Sequence, residues 1–91
     1  MRRNTQEKSA RGLDLLPVQC KMARAATGLG VRELGIAAKV SPETIVRFEK
    51  GETLRPRTIE AIQAALEGAG IQFIAENGGG AGVRLIRKNI V

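Results

Sequence analysis

Histidine, tryptophan and tyrosine are absent from this 91-residue chain, and cysteine occurs once, at Cys20. Those absences remove an imidazole base, a Cys–His pair, an intrachain disulfide framework and a zinc site. No cluster of carboxylates stands in their place, so no acid–base constellation is legible and the chain is not expected to be an enzyme. The only aromatic residues are Phe48 and Phe73. The core must therefore be aliphatic, and binding by stacking bases on rings is disfavoured. No apolar run approaches the ~20 residues of a membrane span. The charged N-terminal residues are not followed by the apolar stretch of a secretory signal. The expectation is a reduced, cytoplasmic protein with no membrane partner, no cofactor, no metal and no evident small-molecule ligand.

What the chain does have is length for one domain with a modest core, and a hydrophobic fraction of 43%, ordinary for a folded protein. Its net charge is +6 with a pI near 10.5, which suits a polyanionic partner. Residues 1–30 carry six basic and two acidic side chains, residues 31–58 six and four, and residues 59–91 three and three. The basic excess lies in the first two-thirds. Basicity that serves only solubility is the competing reading.

Residues 1–12 are polar and basic without periodicity and read as a disordered basic arm, either a solvated tail or a segment reaching along DNA. Leu13, Leu15 and Leu16 lead to Pro17, which opens a helix running to about Thr27. Cys20, Ala23 and Thr27 share one face of it, with Arg24 on the same inward side, unusual for a charge. Cys20 reads as a small core residue. Gly28 and Gly30 end this helix, and a second is expected from Val31 to Ala38, with Leu34, Ala37 and Ala38 as its buried stripe.

The stretch Ser41 to Gly51 organises the rest. Ser41 can cap a helix, Pro42 suits its first position, and Gly51 can end it in a left-handed conformation. Ile45, Phe48 and Glu49 fall on one face; Glu43, Thr44, Arg47 and Lys50 point the other way. Lys39, Val40 and Ser41 form the short connection from the preceding helix, with Val40 as its buried plug. Two short helices so joined are a helix-turn-helix arrangement.

After Gly51 a loop anchored by Leu54 ends at Pro56, and Thr58 or a neighbour caps a longer helix to about Ala69. Ile59, Ile62, Ala65, Leu66 and Ala69 follow helical spacing. The period then changes. Ile71, Phe73 and Ala75 alternate with Gln72, Ile74 and Glu76, and Val83 to Ile86 is a second β-rich run, so a hairpin with a loop of six or seven residues is expected. The glycines within residues 77–82 suit that loop better than a phosphate cradle, because no helix and no Lys–Ser/Thr pair follows them. A lone two-stranded hairpin is marginal. It must pack on the helices or gain strands from a second chain.

Three stretches and one arginine now combine: Arg24, L-G-V-R-E-L-G-I-A-A-K-V-S at 29–41, T-I-V-R-F-E-K-G at 44–51 and R-P-R-T-I-E-A-I at 55–62. Together they resemble the phage-repressor-like helix-turn-helix family, the lambda- and Cro-type bacterial and phage regulators. The tail I-Q-F-I-A-E-N-G-G-G-A-G-V-R-L is similar to that of a small single-domain subgroup, bringing the match to about three-quarters of the chain. The resemblance implies a mainly α fold: a lambda-repressor-like bundle of four or five short helices over residues 13–70, followed by the short C-terminal β-hairpin within 71–91. It further implies a transcriptional regulator that places its third helix, residues 42–50, in the major groove of double-stranded DNA.

By position, the resemblance pairs Arg24 with Glu49 inside the fold. It puts base reading on Pro42, Glu43, Thr44 and Arg47. Arg47 could form a bidentate contact to guanine, Glu43 could accept from cytosine, and Thr44 could touch a thymine methyl or a phosphate. Lys50, Arg55 and Arg57 would serve phosphates, with Lys39, Val31 and Arg32 as further backbone contacts. Some positions depart from the family pattern. Gly30 replaces a capping Ser or Thr, Val31 a phosphate-binding Gln, and Lys39 the turn glycine, while Pro42 offers no side-chain donor. A plain solvated face is the competing reading of Arg47 and Lys50.

A homodimer reading two half-sites is expected, with residues 71–88 as the natural pairing element. The alternative function is a protein-interaction module, such as the antitoxin of a toxin–antitoxin pair.

Overall fold

All three prolines stand at helix starts. A helix cannot use the N–H groups of its first turn, so a residue that lacks one sits there without loss. Helix α1 spans Pro17–Thr27, α2 spans Val31–Ala38, α3 spans Pro42–Glu49 and α4 spans Pro56–Gly68. The computed structural model describes residues 15–86, and its helices are followed by strands β1, Ile71–Ile74, and β2, Gly82–Leu85. The expected basic arm, residues 1–12, lies outside the described residues, as do residues 87–91. The protein is mainly helical with a short antiparallel hairpin at its C-terminal end. Among the described residues no helix is long and apolar enough to cross a membrane.

Helix α4 begins three residues earlier than a Thr58 cap would place it. Arg55 holds the cap position without a side-chain hydrogen bond, and the N–H groups of Thr58 and Ile59 donate to the Arg55 carbonyl. Proline at the first position outweighs the missing cap.

The core is aliphatic apart from the two phenylalanines. Leu34 from α2, Ile45 from α3, and Ile62 and Leu66 from α4 are fully buried, with Cys20 and Ala23 of α1 against them. Phe48 and Phe73, at 3% and 8% exposure, are part of this core, so neither ring offers a stacking platform. Two stripe assignments are corrected. Ala37 and Ala69 are exposed, because α2 turns Gly35 rather than Ala37 toward its neighbour and Ala69 already lies beyond the last turn of α4.

The hairpin packs on the helices. Ile71 pairs with Leu85, Gln72 with Arg84, Phe73 with Val83 and Ile74 with Gly82, leaving a seven-residue connection, 75–81. Ile71 and Phe73 enter the core while β1 lies against α4 and β2 against α1. Gln19 of α1, only 1% exposed, locks the arrangement. Its side-chain amide donates to the carbonyls of Ile74 and Gly82, at 3.1 and 3.0 Å, so it spans the last paired rung of the hairpin. Its Oε1 accepts from the Leu16 N–H at 3.0 Å. A buried polar side chain is tolerated when its capacity is filled in this way. The helical spacing from Gln19 to Ala23 marks the residue as inward; its two carbonyl partners, more than fifty positions away, are not a local signal.

Candidate nucleic-acid interface

Helix α3 is built to show one face. Ser41 accepts the Thr44 N–H at 3.1 Å on its Oγ, a cap worth about 1 kcal/mol. Ile45 and Phe48 point into the core, while Glu43, Arg47 and Lys50, at helical spacing, are exposed on the opposite side. Pro42 is exposed at the head of this face. Thr44 is half-buried, and its hydroxyl is 2.9 Å from that of Ser41, so its polar atom belongs to the cap more than to the open face. Val46 also reaches the surface at the margin.

Both helices of the α2–α3 unit are closed at their C-terminal ends by the same backbone device. After α2, Lys39 takes a left-handed conformation at φ 61°, its N–H donates to Ile36 O, and the Val40 N–H reaches back to Gly35 O at 2.9 Å. After α3, Gly51 takes φ 102°, its N–H donates to Phe48 O, and the Glu52 N–H reaches back to Arg47 O at 3.0 Å. These are Schellman closures, in which the second residue past the helix folds over its last turn. Glycine takes the left-handed position freely at 51; at 39 a lysine does so at a cost of about 1 kcal/mol. Val40 is half-buried against the core, the place expected of it.

Close approach of α2 to the turn depends on Gly35. A Cβ there would stand 2.7 Å from the Val40 carbonyl oxygen and 3.4 Å from the Pro42 nitrogen, both backbone atoms. Only a residue without a side chain lets the 39–41 connection pass so close. Gly35 was not among the residues that sequence reasoning singled out. A glycine inside an otherwise regular helix was the available signal.

A charged pair ties α1 to the base of α3. Arg24 Nε and Nη2 donate to the two oxygens of Glu49, each at 2.8 Å, and Nη1 donates to the Leu29 carbonyl at 3.3 Å. The Glu49 side chain is 7% exposed and that of Arg24 is 25% exposed. Burial by itself would push the Glu49 carboxyl up, but hydrogen bonds from Arg24 and Cys20, with the positive charge of Arg24, together hold it below its ordinary value. The hydrogen bond to Glu49 raises Arg24 further against its own desolvation. Burial, followed by the adjoining carboxylate, pushes the Cys20 thiol up. Cys20 is thus a neutral thiol in the core, unsuited to nucleophilic chemistry.

The cations expected to meet phosphates sit at element ends. Arg32 is exposed in the first turn of α2 and Lys39 at its close; Lys50 follows α3; Arg55 and Arg57 flank Pro56 at the start of α4. Glu33, in the first turn of α2, accepts the Gly30 N–H at 3.0 Å, so a carboxylate already satisfies one of the donors at that helix start. Arg47 is not free of partners either. Its Nε lies 3.7 Å from Oε1 of Glu52, a residue that sequence reasoning passed over. A search with protein-family models finds no match to the chain, and a search of curated proteins finds none.

Proposed function

We propose that the protein is a sequence-specific binder of double-stranded DNA and regulates transcription by laying α3 in the major groove. The observation that carries this reading is the split of α3. Its inner face is anchored by Ile45, Phe48 and the Glu49–Arg24 pair, while Glu43, Arg47 and Lys50 stand exposed on a rigid support. A helix of this width fits a major groove, and exposed cations at the ends of its neighbours are suited to the flanking phosphates. In this reading Arg47 reads guanine and Glu43 cytosine. Lys50, Arg55, Arg57, Arg32 and Lys39 contact the backbone, and Pro42 offers only an apolar edge. The sequence resemblance to lambda- and Cro-type regulators points the same way.

Arg47→Ala tests the assignment. In selection from a random DNA pool, the wild type is expected to enrich a defined motif. The variant should lose one guanine preference, a discrimination of about 1–3 kcal/mol, while keeping weak general binding. An unchanged motif would remove Arg47 from the reading face. No motif for the wild type would favour the protein-interaction alternative.

The proposed working form is a homodimer, since a single short helix reads few bases and two half-sites lie ~34–36 Å apart. Leu85 and Ile86, exposed at the end of β2, supply apolar side chains to the hairpin as the pairing element. The hairpin also supplies Ile71 and Phe73 to the core, so deleting it would confound folding with association. Leu85→Glu, at a residue 55% exposed, avoids that problem. Light scattering should report a dimer for the wild type and a folded monomer for the variant; a dimer in both would discard this pairing surface.

A further inference from the structure

We infer that Glu52 is a positioning residue for Arg47, holding its guanidinium so that the two terminal nitrogens face outward as a fork; this rests on the DNA-reading proposal above.

The geometry follows from the way α3 ends. In a Schellman closure the second residue past the cap folds back over the third residue from the helix end, and the two side chains there usually make an apolar contact. Those positions are Glu52 and Arg47, joined through the backbone by the Glu52 N–H to the Arg47 carbonyl at 3.0 Å. An ion pair stands where the apolar contact would be, Arg47 Nε to Glu52 Oε1 at 3.7 Å. Gly51 at φ 102° makes the fold-back possible.

The chemistry of the fork gives this placement its meaning. A guanidinium has five N–H donors: one on Nε, and two on each terminal nitrogen. Bidentate reading of guanine O6 and N7 needs two of them, held in a plane. A carboxylate beside Nε, at 3.7 Å an ion pair rather than a hydrogen bond, leaves both terminal nitrogens unoccupied and biases the orientation of a long side chain that is otherwise half exposed, at 49%. It also offsets the charge of Arg47, which weakens its attraction to phosphates of any sequence. Both effects favour discrimination over bare affinity. A surface pair of this kind adds little to folding stability.

The test compares wild type, Glu52→Ala, Arg47→Ala and the double variant. Each is put through selection from a random DNA pool, followed by titration on the selected duplex and on one with the guanine exchanged. Glu52→Ala should cut the discrimination at that base pair about fivefold or more, out of the roughly five- to 150-fold of a good bidentate contact, while binding of unrelated DNA tightens. In the Arg47→Ala background, Glu52→Ala should leave base preference unchanged, because the partner it acts through is gone. Glu52→Asp should restore part of the discrimination. Equal tightening on all sequences with discrimination intact would overturn the inference, leaving a carboxylate that merely repels DNA. The same holds if Glu52→Ala changes base preference equally with and without Arg47. A wild type that enriches no motif would overturn the DNA-reading proposal itself and this inference with it; a wild type that reads DNA beside a Glu52→Ala variant that reads it identically would overturn this inference alone.

Discussion

Arg24→Met is expected to destabilise the fold by about 3 kcal/mol at pH 7, equivalent to roughly 15 °C in melting temperature for a domain of this size. The loss comes mainly from what remains. Glu49, 7% exposed, would keep the Cys20 thiol beside it but lose both 2.8 Å bonds from the guanidinium. Glu49→Gln should cost less, since Arg24 has more solvent and still donates to the Leu29 carbonyl. Replacing both by apolar residues of similar volume should recover part of the loss, because desolvation of two charges disappears together with their attraction.

The pH dependence separates this account from a simple packing defect. In the wild type the Glu49 carboxyl is held below its ordinary value, so its contribution is present above the unfolded value near 4.3 and fades as pH falls through the lower folded value. In Arg24→Met the largest remaining influence on Glu49 is burial, which raises it. Protonation then relieves the variant as pH falls. The gap between the two proteins should be widest at neutral pH and narrow toward pH ~4. Urea unfolding followed by circular dichroism at both pH values measures it. A gap that does not change with pH would mean that Arg24 acts through its methylenes alone.

Gly35→Ala is the second large effect, and it should strike stability and binding together. A Cβ at 2.7 Å from the Val40 carbonyl has only backbone before it, so the 39–41 connection must move. Overpacking of this kind costs about 1–3 kcal/mol, against which alanine recovers up to about 1 kcal/mol of helix propensity. The connection leads directly into Ser41 and Pro42, so α3 moves with it. Gly68→Ala is the control. It stands in the last turn of α4 with no atom within 4 Å of its added Cβ, and a small stabilisation is expected. Thermal melts of the two variants should therefore shift in opposite directions, and only Gly35→Ala should weaken any DNA binding of the wild type. A rise in melting temperature for both would show that the 39–41 turn yields freely.

The sequence by itself determined whatever depends on neighbours a few positions apart. Pro17 and Pro42 open helices because the first turn has no use for their missing N–H groups. Gly28 and Gly51 close them because the left-handed region costs glycine nothing. Apolar spacing placed Leu34, Ile45, Phe48, Ile62 and Leu66 inside, and helical phase marked Arg24 and Glu49 as inward charges, while their pairing was what the family resemblance implied. Alternation after Gly70 marked the hairpin.

Tertiary structure alone decided which inward positions meet which partners. Ala37 and Gly35 are both small and both on α2, and only the path of the 39–41 backbone makes Gly35 the close approach. Gln19 lies on an inward phase, yet its two carbonyl partners are brought to it by the packing of a hairpin more than fifty residues away. Glu52 reads as loop until the closure at Gly51 folds it over Arg47. Periodicity records how far each side chain turns from solvent; the distances that give a glycine, an amide or a carboxylate its role arise only when separate segments share the same space.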